Sequence, residues 1–177
     1  NIAIFIALYI AKEANRKAFF LIPDQGGWTS YKTYPGLLGV EAKEVKTNYG
    51  IIDIEDLRKK AKTGCALIIS SFAGYFAEQP IEEIAKVCHE NNCLLIEDAS
   101  GAIGDEILCN GNYSDMIVGS FGRWKPVNVG YGGFISTNNH EYFEKATIPF
   151  SISKFYEKAG KEILGKIDMP EHKSAMK

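Results

Sequence analysis

The sequence predicts an α/β fold of three layers, a mostly parallel sheet held between two layers of helices. Three observations predict it. Short apolar runs alternate with amphipathic stretches along residues 19–137. The runs at 66–70 and 94–96 are apolar without inside–outside alternation, as in strands covered on both faces. The longest apolar runs, 2–10 and 65–69, fall short of the ~18 residues of a membrane span.

Each element follows in order. Residues 2–16 are almost continuously apolar and rich in alanine, with no turn residue before Asn15, which predicts a helix buried on most sides. Residues 19–22 read as a strand, 23–27 as a loop, and 28–38 as a helix broken near Pro35. A second strand is expected at 42–47, then a charged helix at 54–61 capped by Asp53. The strand at 66–70 precedes the clearest helix, 80–90, with Pro80 at its start and Asn91-Asn92 at its end. Strands at 94–96, 116–121 and 134–137 complete the sheet. Helices are expected at 140–146 and 153–164, and residues 168–177 read as a loosely ordered tail. The expected division is an α/β core at 1–146 and a helical C-terminal extension at 147–177.

Composition narrows the function. The chain has 177 residues, the size of one domain, with 46% hydrophobic and 24% charged residues. A net charge of -2, without a block of five like charges, argues against nucleic-acid binding. Cys88 and Cys93 flank His-Glu-Asn-Asn, but no second pair follows, so no metal site is expected. Reduced cysteines suit a cytoplasmic protein. No basic stretch precedes the apolar start, which argues against a secretory signal, and no membrane association is expected.

In an open parallel sheet, ligands bind beyond the carboxyl ends of the strands. Those ends collect Asp24 to Trp28, Ser70 and Ser71, Glu97 to Ser100, and Ser120 to Lys125, followed by Gly130-Tyr131-Gly132-Gly133. No G-x-G-x-x-G joins a strand to a helix, and no G-K-[ST] occurs, so nucleotide sites of those two kinds are rejected. The histidines, at 89, 140 and 172, fall on helices or in the tail, away from any serine-protease-like arrangement. Pyridoxal phosphate suits what remains. It needs a lysine, a carboxylate to keep its ring nitrogen protonated, donors for its phosphate, and an aromatic plane.

The motifs L-L-I-E-D-A-S-G-A-I-G (94–104), S-D-M-I-V-G-S-F-G-R-W-K (114–125) and G-Y-G-G-F-I-S (130–136) carry a resemblance. The chain resembles fold-type I PLP-dependent enzymes, and most closely the DegT/DnrJ sugar aminotransferase family. The resemblance implies the large domain of a PLP-dependent transferase, with the C-terminal small domain absent or truncated. It implies Lys125 as the Schiff-base lysine and Asp98 as the partner of the ring nitrogen. It maps Ser120 to the phosphate and Trp28 to the ring face. Asn1 falls at the end of the family's phosphate-binding loop, and Ser70 or Ser71, of which Ser71 is preferred, reaches the phenolic oxygen. Arg123 is a weaker anion ligand, and Asp115 a structural cap. Gly101 and Ile103 stand where the family usually has Gln or His. A homodimer is implied, acting on a small-molecule amino donor and a carbonyl acceptor such as a keto-sugar.

The residues leave other functions open: a lyase or aminoacyl-modifying transferase using the same cofactor, or a shortened non-catalytic homologue that binds it. The family's dehydratases carry His in place of the lysine, and Lys125 disfavours that branch.

Overall fold

The structure, a computed structural model, describes residues 1–72, 78–106 and 108–146. The helix expected at 153–164, and the whole extension at 147–177, lie outside the described residues.

The chain opens on α1 (Ile2–Ala14), followed by β1 (Phe19–Pro23) and α2 (Thr29–Leu37). Next come β2 (Glu41–Val45), the two-residue strands β3 (Thr47–Asn48) and β4 (Ile51–Ile52), and α3 (Ile54–Lys60). Then follow β5 (Gly64–Ser70), α4 (Ile81–Glu90), β6 (Leu94–Asp98), β7 (Met116–Ser120), β8 (Gly133–Ser136) and α5 (His140–Lys145). β3 and β4 form a separate antiparallel ribbon. The other six strands make one sheet in the order β2-β1-β5-β6-β7-β8. The first five run parallel, and β8 pairs antiparallel with β7.

Local chemistry sets the boundaries. The Asp53 side chain accepts from the Asp56 N–H and starts α3, which carries Glu55 and Asp56 in its first turn and Arg58 to Lys60 in its last, matching the helix dipole. Asn139 caps α5 by accepting from the Glu141 and Tyr142 N–H groups. Pro35 does not break α2. It sits in the final turn with the φ a helix already requires, and the helix ends two residues later.

Helices cover both faces. α1 packs on β5, β6, β7 and β8, beside α2 and α5, while α3 and α4 pack together against β2 and β6. Leu21, Leu67, Ile69 and Leu95 share a buried cluster with Leu57, Ile84 and Val87 of α3 and α4. Alternation along each strand turns the intervening residues toward α1. Asp98 belongs to the α1 face and Glu97 to the opposite one. Register brings Ser70 level with Asp98, and Asp98 level with Val118.

Candidate active site

A cavity of about 320 Å³ opens at the carboxyl ends of β1, β5, β6 and β7, beside the start of α1. The chain reverses its direction of travel across the sheet at β1, with β2 on one side and β5 on the other, and ligand sites form at such a switch point. Asn1, Trp28, Asp98, Ser120 and Lys125 all line this cavity. These five residues, singled out in the sequence, therefore meet from segments up to 124 positions apart.

Asp98 is almost fully buried, at 7% exposure. Its Oδ2 accepts from the Tyr31 hydroxyl at 2.7 Å, and its Oδ1 accepts from the Ser100 N–H at 3.0 Å. Trp28 precedes α2 in extended backbone, and its indole Nε1 donates to Asn1 Oδ1 at 3.1 Å. Lys125 Nζ stands 5.8 Å from the centre of the Trp28 ring, within reach of a cation–π contact. Ser120 Oγ accepts from the Gly122 N–H at 3.2 Å, which leaves its own proton to donate.

Ser71 is a correction. It is fully buried and does not line the cavity; Ser70 does. The Ser71 hydroxyl donates to Glu97 Oε1 at 2.9 Å, on the opposite face of the sheet from Asp98. Glu97 is buried too, and accepts further from the Cys109 N–H at 3.1 Å and the Ser114 hydroxyl at 3.1 Å. This satisfied carboxylate ties the 109–114 loop beneath the sheet. The physical reason is the two-residue period of a strand, which sends neighbours to opposite faces.

Arg123 is exposed and lies outside the cavity lining. Asp115 accepts from the Leu95 N–H at 2.8 Å and contacts His89 Nε2 at 3.2 Å, joining the start of β6 to the end of α4. Tyr31 and Ser100, which line the cavity and hold Asp98, were not among the expected site residues. Tyr31 is the middle of three aromatics, Trp28, Tyr31 and Tyr34, and the sequence does not single it out from its neighbours.

Residues 40–175 match the DegT/DnrJ/EryC1/StrS aminotransferase family. The chain belongs to this family. It is 32% identical over 112 residues to the UDP-4-amino-4,6-dideoxy-N-acetyl-β-L-altrosamine transaminase of Campylobacter jejuni, a match covering 60% of this chain and 29% of that protein. The chain spans between 22% and 29% of the length of the curated relatives it matches. Among solved structures, the sugar aminotransferase CalS13 of Micromonospora echinospora superposes with a TM-score of 0.68 at 16% identity, over 82% of this chain and 42% of that one. Ntda of Bacillus subtilis, solved with bound cofactor PMP, gives a TM-score of 0.65 at 22% identity, over 80% of this chain and 33% of that one. The DegT/DnrJ fold of the large domain is thus shared, with its mostly parallel sheet. Among the described residues, no helix is long and apolar enough to cross a membrane.

Proposed function

We propose that this DegT/DnrJ chain holds pyridoxal phosphate on Lys125 and serves a PLP-dependent aminotransferase. The observation that carries the proposal is the meeting of Lys125, the buried Asp98 carboxylate and the Trp28 ring in one cavity. The cavity's 320 Å³ lies within the usual range of cofactor pockets, and its polar groups are few and convergent. The residues present fit the group. The bound PMP of the Bacillus subtilis relative supports the same cofactor here.

Each residue has a defined task. The Asp98 carboxylate holds a proton at the ring nitrogen, because a buried carboxylate beside it favours the charged ring. When bound, pyridoxal phosphate would supply an electron sink for the carbanion left at the substrate's α-carbon. The Lys125 amine would act as the general base, taking the α-proton of the bound amino compound at Nζ and holding it there for return. Ser120 would offer its hydroxyl as a hydrogen-bond donor to the phosphate, and Asn1, which holds the Trp28 indole, would border the cofactor. Trp28 supplies a flat apolar face that orients the ring.

The amino acceptor in this reading is a keto-sugar, supported by the Campylobacter jejuni transaminase to which the chain is similar. The donor is a small amino compound. The working form is a homodimer in the cytoplasm, and the core at 1–146 carries the cofactor.

The experiment is a titration of the purified chain with pyridoxal phosphate. A yellow absorption band should develop, and borohydride should fix the cofactor on the peptide containing Lys125. Absence of the band, or an unchanged band in Lys125→Ala, overturns the reading.

A further inference from the structure

The geometry points to Tyr31 as the positioning residue for Asp98, setting the plane in which that carboxylate meets a ring nitrogen in the cavity. This rests on the cofactor assignment proposed above and goes beyond it by naming the group that orients Asp98.

Tyr31 belongs to α2 and is 1% exposed. Its hydroxyl reaches across 67 positions of sequence to Asp98 Oδ2, at 2.7 Å. An ionised carboxylate offers about four lone-pair positions. Here the Tyr31 hydroxyl takes one on Oδ2 and the Ser100 N–H takes one on Oδ1. One donor per oxygen pins the carboxylate plane. With one donor alone, the plane is free to turn, because the terminal torsion of aspartate has a broad, shallow profile. The lone pairs left over are those available to the cavity that Asp98 and Tyr31 both line.

The path of the Tyr31 ring is kept open by Gly27. A Cβ on Gly27 would stand 2.9 Å from Tyr31 Cδ2 and 3.0 Å from Pro23 Cγ. The bare backbone at Gly27 therefore accommodates the ring that carries the hydroxyl to Asp98. The alternative role for Tyr31 is purely structural, a buried phenol that takes the nearest acceptor. The two roles differ in what happens at the ring nitrogen when the hydroxyl is removed.

The test uses Tyr31→Phe in the whole chain, with pyridoxal phosphate carrying ¹⁵N in its ring as the probe. Phenylalanine keeps the ring packing and deletes only the donor. The expected result is a retained yellow band, a ring ¹⁵N signal moved from the protonated toward the neutral position at the same pH, and kcat lowered on the order of tenfold, as for loss of one hydrogen bond to a charged group. KM for the amino donor should stay the same. Gly27→Ala crowds the ring without touching the hydroxyl, and should move the ¹⁵N signal in the same direction. It also serves if Tyr31→Phe fails to fold, which a thermal melt without cofactor reports. No band in the unaltered protein overturns the cofactor assignment itself. A normal band with ¹⁵N signal and kcat unchanged in the variants overturns the role of Tyr31 alone. Loss of the band in folded Tyr31→Phe also overturns it, making Tyr31 a determinant of binding.

Discussion

Lys125 Nζ stands 5.8 Å from the centre of the Trp28 ring, and the Trp28 indole in turn donates to Asn1. The indole therefore touches the lysine side of the cavity through its face and the α1 side through its edge. It is 54% exposed, so burial alone does not account for its orientation, and the two contacts do. Trp28→Ala should leave the yellow band on Lys125 but weaken pyridoxal phosphate binding by about tenfold, the size of a lost aromatic stack. Trp28→Phe should restore most of it. Absorbance titrations of the three proteins check this, and unchanged affinity in Trp28→Ala removes the ring from the site.

A second relationship holds the edge that carries Ser120. Gly119 pairs with Phe134 and Ser120 with Gly133 between β7 and β8. A Cβ on Gly133 would fall 2.4 Å from the Gly119 carbonyl oxygen, a backbone atom that cannot move aside alone. A Cβ on Gly119 would fall 2.2 Å from Phe134 Cε1, the rim of a side chain. Gly133→Ala should cost about 1–3 kcal/mol, as overpacking does, and Phe134→Leu should not rescue it. Gly119→Ala should be rescued by Phe134→Leu. Urea unfolding of the single and double variants separates the two cases, and rescue of both refutes the backbone clash.

The same geometry explains what the sequence exposes and what it hides. The strands of Ile68 and Leu95 are legible because both their faces are buried, and a continuous apolar run has few other uses. The same continuity hides their phase, so that which of Ser70 and Ser71 faces the cavity is not readable. Only pairing in the sheet decides it. The ribbon of β3 and β4 is invisible for another reason. Its turn has Tyr49 at φ 50° and Gly50 at φ 85°, with tyrosine where asparagine usually signals such a turn. Asp98, Ser120 and Lys125 are legible because each lies in a motif of neighbours. Tyr31 is not, because its function depends on a partner 67 residues away.

Asp56 gives the stability of this unit a defined pH dependence. Burial pushes its carboxyl up, but the Lys46 N–H and Lys60 Nζ outweigh burial and hold it below its ordinary value. Those partners lie at 2.8 Å and 2.6 Å. A carboxyl depressed on folding stabilises the protein above its unfolded value, and loses that contribution as pH falls through the lower folded value. Asp56→Asn should therefore lower stability by about 0.5–1 kcal/mol near neutrality. The difference should shrink between pH 5 and pH 3, around the ordinary aspartate range of about 4. Urea melts across that interval check it. A difference that stays constant or widens as pH falls contradicts the assignment.

Among the described residues, no cysteine lines the cavity, and the burial of the thiols decides whether they can act as nucleophiles at all. Burial pushes the Cys65 thiol up to about 12, and its Sγ lies 2.7 Å from the Asn15 carbonyl oxygen. Cys88 is pushed up by a hydrogen bond with Cys93 and by burial. Burial also leads at Cys109, where the bond to Ser71 lowers the value, the nearby Glu97 carboxylate raises it, and the thiol ends at about 12. A thiol at about 12 is ionised to roughly one part in ten thousand at pH 8, and the thiolate is the nucleophile. Iodoacetamide at pH 8 should therefore leave Cys65, Cys88 and Cys109 unmodified in the native protein, while urea-unfolded chain takes up label at all four cysteines. Peptide mass spectrometry reads both states. Labelling of Cys109 in the native state at the rate of a free thiol would overturn the raised thiol value that burial and the Glu97 carboxylate give it.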